Sequence, residues 1–321
     1  MTSAGSEVLI IGAGVSGLTT GVCLAERGFR VRIVAERRPE ESTSANAGAI
    51  WDPIYASHPK VIAWSKRTYD VLSALAAAGH PEVRMVPGVE ASRKKIDAPQ
   101  WARGLPGFRE CTEDELRVGF LSGWHYTAPI IDMRRYLRYL QDRLARAGGT
   151  LTAGRVETLG EAFAYASIVV NCTGAGARDL VPDPDVEPVR GQLVAVRNPG
   201  ITDFFAEHTD ELGEMTYVLP QGDVLLLGGS AEKGQADPVP DRAVARGIVE
   251  RCALVFPEIA GAEFLGDRTG IRPQRSQIRV EHEDLGDRHL LHNYGHSGAG
   301  VSLSWGCAAD IADLVAPLAG P

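Results

Sequence analysis

The 321-residue chain has five cysteines, Cys23, Cys111, Cys172, Cys252 and Cys307. They are odd in number, far apart and form no C-x-x-C pair, which argues against a disulfide framework or a zinc site and fits a reducing cytoplasm. No metal site is expected. Excess positive charge is also missing: 33 Lys and Arg against 41 Asp and Glu leave a formal charge of −8. With the arginines scattered, no basic field favours nucleic acid. No run approaches about 18 consecutive apolar residues. The opening "MTSAGSEVLIIGAG" lacks a positively charged stretch followed by about 7 to 15 apolar residues, so neither secretion nor membrane insertion is expected. Repeats and low-complexity segments are absent. What remains, 44% hydrophobic and 23% charged residues, suffices for the core of a soluble globular protein of about two domains.

The strongest local signal opens the chain. "EVLIIGAGVSGLTTGVCLAERGFRVRIVAER" reads as a strand over 7–11, a glycine turn, a helix over 15–27 and a second strand over 30–35. The G-x-G-x-x-G pattern falls on Gly12, Gly14 and Gly17, around Ala13, Val15 and Ser16. Its glycines serve a tight turn, close backbone approach to a pyrophosphate, and tight helix-on-strand packing. The helix N-terminus supplies free N–H donors and a positive dipole end. Glu36 ends the second strand, where a carboxylate can accept from ribose hydroxyls, and Arg37 and Arg38 follow it. This is a dinucleotide-binding βαβ unit.

An NAD enzyme usually continues at once with further βα units. Here the second strand runs into "RPEESTSANAGAIWDPIYASHP", which is polar, small and turn-forming. Ser42, Thr43 and Ser44 offer hydroxyls, and the Gly48, Ala49, Ile50 stretch lets backbone approach a flat or charged group. At the far end a strand closing near Tyr294 meets the turn "HSGAG" and then an apolar helix over 301–318. A second helix start built on glycines needs a second negatively charged partner. A reduced flavin is one, and a helix N-terminus there contributes about 0.3 to 2 kcal/mol.

Taken together, "VLIIGAGVSGLTT", "VVNCTGAGA", "VRGQLVAV", "YVLPQGDVLLLGG", "TGIRPQRSQIRVE" and "HNYGHSGAGVSLSWGCA" resemble the D-amino-acid oxidase family of FAD enzymes, in the family's order and over nearly the whole chain. The resemblance implies an α/β fold: a Rossmann-like FAD-binding domain assembled from residues 1–52, 124–186 and 276–321, with an inserted mixed β-sheet substrate domain of residues 53–123 and 187–275. Within it, Asp132 caps a helix with Met133, Tyr136, Leu137, Leu140 and Leu144 as its apolar face. Strands are expected over 150–156, 167–171, 190–196, 214–220 and 223–229.

Oxidising an amino acid at Cα removes a hydride, which flavin N5 accepts; the protein must fix the carboxylate, hold the free amine and aim the Cα hydrogen. By resemblance, Arg272 and Tyr217 hold the substrate carboxylate and the carbonyl of Gly298 accepts from the amine. A guanidinium suits that task because two parallel hydrogen bonds fix position and plane together. The flavin and its ribityl chain are expected to meet Ser297, Gly298, Ala299, Gly300, Val301, Ser302, Gly48, Ala49, Ile50, Thr173 and Val156. His292 and His296 read as turn and packing residues. The family's second tyrosine, a few residues before Tyr217, has no counterpart in "HTDELGE". The FAD is expected to be non-covalent, since no Cys or His sits in an evident attachment motif. The implied partners are a small-molecule D-amino acid and O2, with no nucleic acid and no membrane and with a homodimer left open. Products would be a 2-oxo acid, ammonia and H2O2. Chirality is implied by resemblance alone, because a mirror-image site uses the same residue types. Glycine or sarcosine oxidation and D-aspartate oxidation are the alternatives. The acids Glu207, Asp210, Glu211 and Glu214 before Tyr217, with Asp52, favour neutral or apolar side chains over acidic ones, with tolerance of basic ones.

Overall fold

The structure, a computed structural model, describes residues 7–209 and 212–319. It opens with β1 (Glu7–Ile11), α1 (Val15–Glu26) and β2 (Arg30–Ala35). After short 3-10 turns come α2 (Val61–Ala77), β3 (Val83–Ser92), β4 (Arg109–Glu110) and β5 (Ser122–Ile131). The middle holds α3 (Met133–Arg146), β6 (Thr150–Ala153), α4 (Leu159–Phe163), β7 (Ile168–Asn171) and α5 (Ala177–Leu180). Next are β8 (Glu187–Arg197), β9 (Phe204–Glu207), β10 (Tyr217–Gln221), β11 (Val224–Gly228) and β12 (Glu232–Lys233). The chain finishes with α6 (Arg242–Val255), β13 (Phe264–Gln274), β14 (Arg279–Asp284), β15 (His289–Tyr294) and α7 (Gly300–Val315).

Two sheets result. The first has the order β14-β15-β7-β1-β2-β6 and is parallel except for β14 at its edge. Its central strand "EVLII" is apolar on both sides because both are covered. Val8 and Ile10 pack toward α1, α3 and α7, while Leu9 and Ile11 pack toward α4. Strands buried on both faces read as continuous apolar runs for this reason. The second sheet has the order β12-β8-β11-β10-β9-β3-β5-β4, with β13 also paired to β8. It is antiparallel apart from the β3–β9 pair. One of its faces packs on α6 through Val194, Val196, Val218, Leu225 and Leu227. The fold is therefore the α/β architecture expected, with a parallel sheet drawn from three separated segments.

Some boundaries differ from those expected. Residues 124–131, grouped by sequence with the FAD-binding segments, form most of β5 and pair with β3 in the second sheet. Alternation of apolar residues cannot say which sheet a strand joins; here Ile131 N donates to Ala49 O at 2.9 Å and Trp51 N to Pro129 O at 2.9 Å, so β5 forms the seam between the sheets. The strand starting at Thr150 stops at Ala153, and that expected from 214 begins at Tyr217. The C-terminal helix ends at Val315 and tightens to a 3-10 turn over Ala316–Ala319.

By length and composition alone, Gly300–Leu318 is apolar enough to cross a membrane. Its helix is instead a core element, since Leu303, Cys307, Ala308, Ile311 and Ala312 are all buried by packing on α1 and α2. The approach to α2 is close: a Cβ at Gly306 would overlap the backbone of Trp64. Gly306→Ala gains helix propensity of roughly 1 kcal/mol, but no rotamer change relieves a clash with backbone. We expect net destabilisation, within the roughly 1 to 3 kcal/mol typical of overpacking, measured as a lower urea midpoint; an unchanged or higher midpoint would show that α2 can retreat.

Candidate active site

A single cavity of about 740 Å³ runs between the sheets. Its first end is the turn after β1. Gly12 has φ of +104°, a conformation that favours glycine, and a Cβ there would sit 2.5 Å from Cys172 O. Gly17 does not reach the cavity wall; a Cβ on it would overlap Gly12 O, so it lets α1 pack directly onto the turn. The α1 N-cap is Gly14, which has no side chain to offer, and Ser44 Oγ accepts from Val15 N at 3.0 Å instead. The first-turn N–H groups of Ser16 and Gly17 have no intrahelical acceptor. Glu36 lines this end and pairs with Arg155 at 3.3 Å.

The second end is the turn after β15. Ser297 holds φ of +50°, and Ser297 N donates to Pro273 O at 3.1 Å. The start of α7 thereby faces the same cavity as the start of α1. On its wall His296 Nε2 and Asn293 Oδ1 are buried and have no hydrogen-bond partner among the described residues.

Between the two ends lies Arg272. It is buried, and Nη1 donates to Ser230 O at 2.9 Å, but no carboxylate pairs with it among the described residues. Burial works against its charge, offset by Tyr217 and Tyr55. Room for the guanidinium comes from Gly191, where any Cβ would overlap it. The Tyr217 ring likewise occupies space left by Gly228 and Gly229, and burial raises its phenol to about 12. Tyr217 is thus a neutral O–H donor beside a guanidinium that has no counterion among the described residues.

The FAD dependent oxidoreductase model DAO matches residues 7–314. The chain belongs to this FAD-dependent oxidoreductase family. It is 47% identical over 313 residues to a D-amino-acid oxidase of Streptomyces coelicolor, covering 96% of each chain. It is 44% identical over 313 residues to a D-amino-acid oxidase of Rubrobacter xylanophilus, covering 96% of this chain and 95% of that one. A crystal structure of glycine oxidase from Geobacillus kaustophilus superposes with a TM-score of 0.82 at 22% identity, over 97% of this chain and 95% of that one; at that identity it bears on fold alone.

The cofactor of the family is FAD, and the cavity fits it. Two helix starts face one space, glycines clear the turn a pyrophosphate would follow, and polar atoms of His296 and Asn293 wait on the wall. Of the candidate residues, all reach the cavity except Gly17, Arg38 and Ala299. Arg38 turns to solvent and pairs with Glu41 at 3.7 Å, because the chain bends into a 3-10 turn right after it. Ala299 is buried as the N-cap of α7. The three hydroxyls after Glu41 line the cavity and also serve the protein's own backbone. Ser42 Oγ donates to Pro39 O at 2.6 Å, and Thr43 Oγ1 both donates to Ile271 O and accepts from Ile271 N.

Tyr55 was not singled out from sequence. It has φ of +63°, shares a hydrogen bond of 2.7 Å with Thr209 Oγ1, and packs beside Gly298. Leu212, from the stretch before Tyr217, approaches Gly298 equally closely, so among the described residues the 53–123 segment and that stretch both cover the substrate region. The field expected from the acids there is blunted. Glu207 accepts from Arg93 at 2.6 Å and from Thr216 N at 2.9 Å, and Glu214 pairs with Arg251 at 3.4 Å. Asp210 and Glu211 lie outside the described residues.

Both histidines of the second turn are buried. His292 Nε2 lies 3.5 Å from Glu283, a partner brought by β14, yet burial and Arg279 still lower its pKa. His296 is 4% exposed and burial pulls it to about 4. It is neutral when folded and gains a proton on unfolding below its ordinary value of about 6.5. Its contribution to stability is therefore complete above about pH 6.5 and is lost as pH falls toward 4. We expect the urea midpoint to drop over this window and His296→Gln to flatten the drop. Equal slopes in variant and wild type would contradict the assignment.

Proposed function

We propose that the chain oxidises D-amino acids at Cα, using bound FAD and O2 and releasing a 2-oxo acid, ammonia and H2O2. The observation that carries the reading is the buried Arg272 guanidinium, without an acidic partner among the described residues, facing a cavity with two helix starts. A buried cation in that state is poised for a carboxylate. Two relatives named for this activity, 44% and 47% identical over nearly the whole chain, supply the substrate class.

Segments 1–52, 132–186 and 276–321 hold the FAD in this reading, and 53–131 and 187–275 build the substrate side. Bound FAD supplies a two-electron acceptor that O2 reoxidises. The glycine turn at Gly12 and Gly14 with the N–H group of Ser16 receives the pyrophosphate, and Glu36 receives the ribose. Ser297, Gly298 and Gly300 to Ser302, with Gly48 to Ile50, take the ring and ribityl chain. Arg272 grips both carboxylate oxygens while Tyr217 adds an O–H, fixing the plane of the substrate. The Gly298 carbonyl accepts from the amine and so orients Cα. Tyr55 covers the turn and limits water.

Arg272→Met leaves the substrate carboxylate without its bidentate partner, a loss of about 3 to 5 kcal/mol. Steady-state kinetics should show KM raised and kcat/KM lowered by roughly a hundred- to several-thousand-fold, with FAD content nearly normal. Wild-type-like kinetics would remove Arg272 from the site. Among substrates, neutral and apolar side chains should outrank acidic ones, because a second carboxylate entering the cavity meets Asp52 on its wall. A peroxide assay over D- and L-amino acids and glycine tests the whole reading. A kcat/KM for D-aspartate above those for D-valine, D-methionine and D-alanine would refute the preference.

A further inference from the structure

Resting on the reading of this cavity as an amino-acid site, we propose that Asp52 is its side-chain selector, favouring D-amino acids whose side chain ends in an ammonium or guanidinium over apolar ones of equal length. Asp52 lines the cavity with Tyr55, Tyr217, Arg272 and Gly298. It follows the seam residue Trp51, and its own N–H donates to Ser302 Oγ at 2.9 Å, which pins it beside the start of α7. Its Oδ1 accepts from Ile54 N at 3.2 Å, and its Oδ2 takes no hydrogen bond among the described residues. No Lys or Arg pairs with it among those residues.

A second carboxyl stands behind it. Glu90, on β3, is fully buried, with Oε2 accepting from Tyr126 O–H at 2.7 Å and Trp124 Nε1 at 3.2 Å, and Oε1 lying 2.5 Å from His208 Nδ1. Its oxygens are all taken within the protein. Asp52 differs in having an oxygen left over and a place on the cavity wall. Loss of water and the nearby Glu90 both push its carboxyl well above the ordinary range. In the empty cavity such a carboxyl keeps its proton, and a cation brought beside it favours the ionised form, so Asp52 is answered by a cation as Arg272 is answered by an anion. A substrate carrying a carboxylate at one end and a cation at the other answers both needs.

A purely structural role has one observation in its favour: the Oδ1 bond to Ile54 N is an Asx turn, which Asp often makes for its own sake. Asp52→Asn preserves that acceptor and removes the charge, so it separates the two roles. The measurement uses the FAD-loaded enzyme, comparing kcat/KM for D-ornithine with that for the isosteric D-norleucine, wild type against variant. We expect the ornithine-to-norleucine ratio to fall at least 10-fold in Asp52→Asn. A binding readout needs no turnover: perturbation of the flavin spectrum by ω-aminoalkanoates of three to six carbons against matching alkanoates. In wild type at least one ammonium ligand should bind at least 10-fold more tightly than its alkanoate, and the variant should lose that margin. A ratio the same in both proteins, or a fall shared equally by ornithine and norleucine, overturns the proposal and leaves the oxidase reading intact. Failure of wild type to oxidise any D-amino acid or to bind any of these carboxylates sinks the oxidase reading, and this one with it.

Discussion

A guanidinium taken out of water needs compensation from fixed groups, and the arrangement around Arg272 is organised by that need. One carbonyl, Ser230 O, meets it directly. The space it fills exists because Gly191 has no side chain, and the phenol beside it fits because Gly228 and Gly229 have none. The residues on either side of it are tied to the two cofactor loops. Ile271 exchanges two hydrogen bonds with Thr43, and Pro273 O accepts from Ser297 N. Arg272 is therefore held between the loop that follows the first βαβ unit and the turn that starts α7. A shift of either loop moves the Arg272 guanidinium with it, so in the proposed reading the substrate carboxylate and the flavin are positioned by the same few bonds.

The sheets carry this coupling further. β13 pairs with β8 from Phe264 to Gln274, placing Gly270 opposite Gly191 and Arg272 opposite Val189. Gly270 leaves room for Thr43, so the tether to the first loop depends on a missing Cβ as much as on a hydroxyl. On the other side, Gln221 Nε2 donates to Ile131 O at 2.9 Å, and Ile131 N donates to Ala49 O. The Gly48–Ile50 stretch is thus fixed between both sheets although it belongs to no long strand. Its backbone can approach a planar ligand because neighbouring strands hold it, not because it is loose.

What the sequence revealed and what it hid follow one division. The first βαβ unit, the Asp132-capped α3 and the strand–turn–helix at the end are legible because their signals are local: apolar period, cap residue and glycine spacing lie within about 15 to 30 residues of one another. Tyr55, Glu90 and the use made of Thr43 depend on partners far along the chain, at Thr209, His208 and Ile271. Nothing in "WDPIYASHP" announces that its tyrosine will reach across to Gly298. Glu90 carries a weak signal, being a charged residue inside the largely buried strand β3, where a carboxyl must find donors. The placement of β5 in the second sheet was unreadable for the same reason, since pairing partners are set by the whole topology.

The charge of the chain raises a last point. At −8 the protein is acidic, yet its family cofactor is an anion and its substrate carries a carboxylate. Long-range attraction cannot be the means, because exposed charges are screened beyond roughly 8 Å. The backbone supplies what is needed at short range. Helix starts at Val15 and Gly300 present N–H groups whose favourable potential is confined to their first turn. A dipole end of this kind needs no counterion, which suits a cofactor whose charge varies with its redox state. In the proposed reading the substrate carboxylate, which leaves at every turnover, is met instead by a full charge on Arg272, kept in position by glycines. Pairing Arg272 permanently with an acid would make the fold easier to stabilise and would fill the site with the protein's own carboxylate.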